Sequence, residues 1–178
     1  MNTFARLAVV AFVVVCLFQI PTAPAPNAAP APLAFQGGAS SVDDLLDDFL
    51  RALSREDPTG LAALRVTERE YRELVVPGNV PPGDDPQILS GEASEYFWQV
   101  MNQKSAHYQE LLLARFGGED FTIKDVSFEK GHKVYAGHQA WRRLSLLVTD
   151  DEGQDRLIRT GSIIERDGRF KFVSFIRD

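Results

Sequence analysis

Near Gly117 the hydrophobic periodicity of the chain changes from that of helices to that of strands. Before this glycine, apolar residues recur every three or four positions, so a helix places them on one face. After it, apolar and polar residues alternate, as they do in a strand with one buried face. Because helices and strands are segregated along the chain, the sequence predicts an α+β fold with an antiparallel sheet, not alternating βαβ units.

The first half contains clear signals for helix starts. Residues 42–53 carry a continuous apolar stripe, and Ser41 is placed to cap this helix at its N-terminus. Asp57-Pro58 predicts a second, short helix, because proline is well tolerated in the first turn. Residues 67–70 (TERE) have the pattern of a capping box and predict the start of a third helix.

A loop and a long helix are predicted next. Pro77 is expected to end the third helix and to begin a loop over residues 77–87. A long helix is predicted over residues 91–116, ending at Gly117-Gly118, because glycine suits the left-handed position after a helix. The inward stripe of this helix is expected to contain Ala93, Tyr96, Phe97, Val100, Met101, Tyr108, Leu111 and Leu112.

Strands are predicted over residues 121–128, 137–149, 156–165 and 169–177. A change of phase predicts a bulge near Lys124-Asp125, and Asp167-Gly168 is the signal of a two-residue hairpin. The last strand is apolar in both phases, so we expect it to be covered on both faces. The residues expected to be largely buried are Phe49, Leu53, Leu64, Phe97, Met101, Leu111, Phe128, Leu146, Ile163, Phe172 and Phe175.

The N-terminus has the layout of a secretory signal. Residues 7–20 form an apolar stretch behind a short basic region, and alternating proline and alanine follow it. We therefore predict a signal peptide over residues 1–23, a Pro/Ala-rich linker over 24–39 and one domain over 40–178, exported to the periplasm or secreted. An uncleaved membrane anchor is the alternative. The apolar stretch is short of the ~20 residues that a spanning helix needs, but Phe4 and Ala5 bring it close, and several candidate cleavage sites are followed by proline.

Composition excludes several classes of partner and cofactor. The formal net charge is −6 and no Lys/Arg-rich run is present, so nucleic acid is not an expected partner. Cys16 is the only cysteine, which excludes an intramolecular disulfide. No glycine-rich phosphate loop or metalloprotease motif is present, and we expect no cofactor. His132 and His138 lie roughly 20 Å apart on an unbroken strand, too far to share an ion, so no metal is expected.

The order of elements and the local text resemble the NTF2-like superfamily, including its SnoaL-like members. The opening VDDLLDDFLRALSREDPTGLAAL is similar to the first two helices of that superfamily, and the ending GSIIERDGRFKFVSFIRD is similar to its terminal hairpin. Tyr96-Phe97-Trp98 begins a segment that looks like its long helix. The resemblance implies a cone in which N-terminal helices pack on a curved antiparallel sheet, and a homodimer through an exposed sheet face. Exported bacterial members resemble this chain in having a signal and a proline-rich tether.

The resemblance leaves the activity open, because the same cone serves both enzymes and binding domains. Its enzymes include polyketide cyclases, ketosteroid isomerase, scytalone dehydratase and epoxide hydrolases. This chain departs from them, because it has no match to their catalytic Asp or Tyr patterns. Residues 77–87 also form a Pro/Gly-rich loop where many members have a short hairpin.

Polar residues interrupt the apolar stripe of the long helix at Lys104 and His107. We predict that Lys104, His107, Tyr108 and Trp141 line or rim the main cavity, because polar side chains on an inward stripe need hydrogen-bond partners or water. The alternative is that Lys104 extends past the sheet to solvent and His107 is a hydrogen-bonded edge residue.

An arginine is also expected at the mouth of the cavity. Arg142 and Arg143 lie on opposite faces of the predicted strand, so one of them faces inward, where it binds an anionic group or pairs with an acid of the chain. The function expected from these observations is a non-catalytic binding module for a small apolar or amphipathic ligand or for a protein partner. The alternative is an isomerase, dehydratase or cyclase in which His107 is the acid or base.

Overall fold

The computed structural model describes residues 34–86 and 88–177. The predicted signal peptide, most of the predicted linker and Cys16 lie outside the described residues. Within them, helices precede the strands, and every strand pair is antiparallel. The predicted α+β class is confirmed. No helix in the described ranges is long and apolar enough to cross a membrane.

The helices follow their predicted caps. They are α1 (Val42–Ser54), α2 (Pro58–Ala63), α3 (Glu68–Glu70), α4 (Val76–Gly78) and α5 (Gly91–Phe116), with a π-helical segment (Tyr71–Val75) between α3 and α4. The Ser41 hydroxyl accepts a hydrogen bond from the Asp44 amide at 3.0 Å, and Thr67 and Glu70 form the capping box. Pro77 does not end the third helix, because the chain passes through the π-helical segment and Pro77 lies in the first turn of α4.

Seven strands form two antiparallel sheets. The strands are β1 (Phe121–Phe128), β2 (His132–Val134), β3 (Gln139–Trp141), β4 (Leu144–Asp150), β5 (Asp155–Arg159), β6 (Ile163–Arg166) and β7 (Arg169–Phe172). One sheet has the order β1-β4-β5 and the other the order β2-β3-β6-β7. The predicted bulge is confirmed, because the register of β1 shifts between Ile123 and Asp125. The predicted hairpin at Asp167-Gly168 is confirmed too, with positive φ at both residues.

Two of the predicted long strands are each broken in two. The chain leaves β3 and enters β4 through Arg142 and Arg143, and it leaves β5 and enters β6 through residues 160–162. Backbone hydrogen bonds cross this point, from the Leu144 amide to the Gly161 carbonyl and from the Thr160 amide to the Leu144 carbonyl, both at 3.0 Å. The two breaks are therefore paired, and they form a corner at which the chain passes between the two sheets.

The four-stranded sheet is covered on both faces at β6 and β7, as the apolar pattern of its last strand predicts, whereas the residues of β2 are exposed. Ile163 belongs to the main core, which also contains the apolar face of α1, whereas Ile164 belongs to a second core under the π-helical segment. Successive residues of β6 thus point into different cores, because side chains alternate along a strand. Phe172 and Phe175 are fully buried in the main core against Phe49.

The predicted face of α5 is correct only in part, since Leu112 is buried and Val100, Met101 and Tyr108 are half-buried. Phe97 and Leu111 are each 50% exposed, whereas Ser105 is fully buried. The Ser105 hydroxyl accepts a hydrogen bond from the Phe175 amide at 2.9 Å, so a polar residue occupies the buried side of the helix. Of the other predicted core residues, Leu64, Met101 and Phe128 are half-buried, and Phe49, Leu53, Leu146, Ile163, Phe172 and Phe175 are buried as predicted.

A buried ion pair joins the helices to β7. The Lys171 ammonium lies 2.9 Å from one carboxylate oxygen of Glu70 and 3.0 Å from the other, and both side chains are almost completely buried. Glu70 also accepts a hydrogen bond from the Gln36 amide at 2.6 Å. Phe35 is buried nearby, and Ala39 forms an isolated bridge with Phe170, so packing begins within the range predicted as linker.

Candidate functional site

A cavity of about 270 Å³ opens to solvent at the corner between the sheets. It is bounded by the π-helical segment, the middle of α5, β3, β6 and the segment that follows β7. Its apolar side chains are Val75, Met101, Ala140, Ile164, Val173 and Ile176. Its polar side chains are Tyr71, Asn79, Tyr135, His138, Arg142, Arg143, Ser162 and Ser174. The cavity is thus amphipathic, and its lining contains no acidic residue.

The corner places two consecutive arginines in one cavity. Side chains of neighbouring strand residues point to opposite faces, so a straight strand allows only one of Arg142 and Arg143 to face inward. Arg143 has a φ of 60°, a left-handed conformation that is uncommon for a residue with a long side chain. This turn interrupts the alternation, and both arginines line the cavity. The Arg143 amide lies 3.4 Å from the Ser162 hydroxyl across the corner.

Gly161 allows the segment after β7 to reach the corner. A Cβ atom at this position would lie 2.2 Å from the Ser174 carbonyl oxygen, which is far inside van der Waals contact. Only glycine therefore fits, and it brings Ser174 and Ile176 into the cavity wall.

A second close approach positions His138. Gly78 and Gly137 pack so tightly that a Cβ atom on either would lie within 2.8 Å of the Cα atom of the other. The Gly137 amide donates to the Gly78 carbonyl at 3.1 Å, and Arg166 Nη1 donates to the Gly137 carbonyl at 3.0 Å. These contacts hold the start of β3 against the end of α4, and His138 follows directly.

His138 is a neutral imidazole at neutral pH. Only 8% of the residue is exposed, and its ring stacks on Tyr135 with the centroids 4.9 Å apart. Burial, together with the nearby charge of Arg166, lowers the pKa of His138 to about 4. Its Nδ1 atom is buried and makes no hydrogen bond. His138 therefore gives the cavity a polar, uncharged group.

Tyr71 is also part of the polar lining. It lies in the π-helical segment, and its ring packs against Trp98 of α5 with the centroids 5.5 Å apart. Burial raises the pKa of the Tyr71 hydroxyl above its ordinary value, so the phenol stays protonated at neutral pH. At that pH the two guanidinium groups are consequently the only charged side chains of the lining.

The structure does not bring the four predicted site residues together. Lys104 and His107 are exposed on α5, where His107 Nδ1 lies 3.9 Å from a carboxylate oxygen of Glu110. Neither residue lines the cavity at the corner. The reason is the side of α5 that faces the core. Ser105 lies on that side, so Lys104 and His107, which interrupt the apolar stripe, face solvent.

Tyr108 and Trp141 occupy two further places. Tyr108 is half-buried in a separate depression of about 360 Å³ between α5 and β5. Trp141 lies on the other face of β3 from Ala140, with its ring 4.8 Å from His132 and 5.6 Å from Phe170. Because neighbouring strand residues alternate, Ala140 lines the cavity and Trp141 does not.

The sequence contains weak signals for the residues that do line the cavity. His138 follows Gly137 in the interrupted strand, and Gly161 interrupts the next predicted strand. A glycine that breaks a strand indicates a bend or a close backbone approach. Gly137 corresponds to the close approach to α4 and Gly161 to the corner, although nothing in the sequence indicates that α4 and α5 cover the cavity.

No group of three or more potential metal-ligating side chains occurs among the residues that the structure describes. No protein-family model, curated protein or solved structure matches this chain. Fold and site therefore define the protein by class, as an α+β domain with an amphipathic cavity at the junction of two antiparallel sheets.

Proposed function

We propose that the chain is an exported, non-catalytic domain of the NTF2-like type that binds a small amphipathic molecule in the cavity at the corner. The observation that carries the proposal is that both apolar and polar residues line this cavity. Such a lining buries the hydrophobic part of a ligand against its apolar side chains and fixes the orientation of the ligand by hydrogen bonds from its polar ones.

The size of the cavity supports a small ligand. Its volume of about 270 Å³ is just below the range for small-molecule sites, roughly 300 to 1,000 Å³. The apolar wall comes from different elements, with Met101 on α5, Ala140 on β3 and Ile164 on β6. A ligand there touches both the helical and the sheet part of the domain.

An enzyme of the isomerase, dehydratase or cyclase type is the second candidate, because His138 and Tyr71 line the same cavity. A general base works best when its pKa is near the operating pH, and His138, with a pKa of about 4, is a weak base at pH 7. No carboxylate in the lining orients the imidazole. These properties favour binding over catalysis.

Filling the cavity tests the proposal. Phenylnaphthylamine, an uncharged apolar fluorophore, serves as the probe, and Met101→Trp is the variant, because Met101 is half-buried on the apolar wall. We expect the probe to bind the native protein and to bind Met101→Trp about tenfold more weakly, since the indole occupies its place.

The matched control is Gln103→Trp, which adds the same side chain at an exposed position of α5 outside the lining. Equal binding to both tryptophan variants, or no binding to the native protein, would contradict the proposal.

A further inference from the structure

The charge of the cavity lining is opposite to that of the protein. The chain carries a formal net charge of −6, yet the lining contains Arg142 and Arg143 and no aspartate or glutamate. Two adjacent cations repel each other, and in a partly desolvated place this repulsion is weakly screened. Two neighbouring guanidinium groups become favourable when an anion binds between or beside them.

Neither guanidinium is neutralised by the protein itself. Among the described residues, the arginines that form ion pairs with carboxylates are Arg51, Arg69, Arg72, Arg156, Arg159 and Arg166. Arg142 and Arg143 form none there. Arg142 donates from Nη2 to the Lys130 carbonyl at 2.8 Å, and its buried Nε makes no hydrogen bond.

The backbone at Arg143 provides an independent observation. A left-handed conformation is unfavourable for a residue with a Cβ atom, and glycine adopts it without this strain. The other left-handed residues of the described chain that are not glycine are Glu56 and Asp167, both in exposed turns. Arg143 is half-buried at the corner, and its side chain lines the cavity. Strained positions of this type cluster at ligand sites.

We propose that the ligand of the cavity is an amphipathic anion, whose acidic group binds Arg142 and Arg143 and whose apolar body lies on the wall formed by Met101, Ile164 and Val173. A carboxylate or sulfonate satisfies this description, because both present oxygens that a guanidinium binds through paired hydrogen bonds. The inference rests on the proposed function, since it specifies the ligand class of the same cavity.

Two probes that share one aromatic body test the inference. Anilinonaphthalene sulfonate carries a sulfonate, and phenylnaphthylamine lacks it, so their affinities separate the effect of the charge from that of the apolar wall. In Arg143→Gly we expect the anionic probe to bind about tenfold more weakly and the neutral probe to change less than about twofold. The thermal midpoint should not fall, because glycine relieves the strain at this position.

Arg142→Gln is a second variant, for which the same selective loss is expected. Arg169→Gln is the matched control, because Arg169 is exposed on β7 outside the cavity, and both probes should bind it as they bind the native protein.

The outcomes separate the two proposals. If the neutral probe does not bind the native protein, the proposed function fails. If the neutral probe binds but the anionic probe is unaffected by Arg143→Gly and Arg142→Gln, the anion specificity is wrong and the binding function stands. If Arg143→Gly and Arg142→Gln weaken the binding of both probes equally, the anion specificity is also wrong. It is wrong as well if Arg169→Gln weakens the binding of the anionic probe as much as these two variants do.

Discussion

Glu70 illustrates how one residue connects local and tertiary structure. Its carboxylate caps α3 through the Thr67 amide at 2.7 Å, accepts from the Gln36 amide, and pairs with the buried ammonium of Lys171. Burial alone would raise the pKa of Glu70, but the hydrogen bonds from Thr67, Lys171 and Gln36 together lower it below its ordinary value. The folded protein therefore releases this proton more readily than the unfolded chain does.

The depressed pKa of Glu70 predicts acid sensitivity. A group whose folded pKa is lower than its unfolded pKa contributes stability above the unfolded value, here 4.5, and loses that contribution as the pH falls below it. Urea unfolding of the native protein at pH 7 and at decreasing pH should show this loss. In Glu70→Gln the fall on acidification should be smaller, because the titrating group is absent.

The same variant should be unstable at pH 7. Glu70→Gln leaves the Lys171 ammonium buried without a counter-charge, and breaking a buried pair in this way costs about 3 to 5 kcal/mol of the free energy of unfolding. Asp48→Asn is the control, since it removes the exposed pair with Arg51 and should cost less than about 1 kcal/mol. Equal urea midpoints for the two variants would show that the buried pair stabilises the protein no more than the exposed pair does.

Residue identity in the site was only partly predictable from the sequence. The sequence predicts that one of Arg142 and Arg143 lies at the cavity mouth. In the structure both line the cavity, because the left-handed backbone of Arg143 interrupts the alternation of side chains. Lys104 and His107 interrupt the apolar stripe of α5, and they line a cavity only if this stripe faces the core. In the structure Ser105 faces the core, and Lys104 and His107 are exposed.

At the scale of elements, local signals predicted the ends of helices better than their faces. The bounds of α5 agree with the prediction because the residues that start and end it, Ser90 and Gly117-Gly118, are adjacent to it in sequence. Its buried face depends on partners distant in sequence, such as Phe175, and no local pattern encodes them. The broken strands have the same cause, because the corner requires residues 142–143 and 160–162 to meet.

Gly161 provides a test of the corner. In Gly161→Ala the new methyl group would collide with the Ser174 carbonyl, so the segment after β7 must move away from the corner. We expect a loss of about 1 to 3 kcal/mol in the free energy of unfolding and weaker binding of both naphthalene probes, since Val173, Ser174 and Ile176 line the cavity.

The control for this substitution is Gly91→Ala in the first turn of α5, where no atom lies within 4 Å of the added Cβ. Its stability should be unchanged or slightly higher, because alanine favours helix. A Gly161→Ala protein that matched this control in urea midpoint and probe affinity would show that the corner tolerates a side chain.

At the scale of the whole molecule, the proposed export makes a prediction about the mature N-terminus. If the predicted signal peptide directs export and is cleaved, N-terminal sequencing of the exported protein should give a start between about residues 22 and 36. Phe35 is packed in the domain, so cleavage before it preserves this contact. Full-length chain found only in the membrane fraction would instead support the uncleaved anchor.

The placement of β7 determines when the domain can fold during synthesis. Phe172 and Phe175 complete the core that Phe49 of α1 begins, and Lys171 neutralises Glu70 across 101 positions of sequence. Until residues 169–176 have been made, the main core lacks Phe172 and Phe175 and Glu70 lacks its counter-charge. Because domains fold as units, the native core cannot form before these residues are available, and a chain that lacks them stays in the unfolded state that threading through a translocation channel requires.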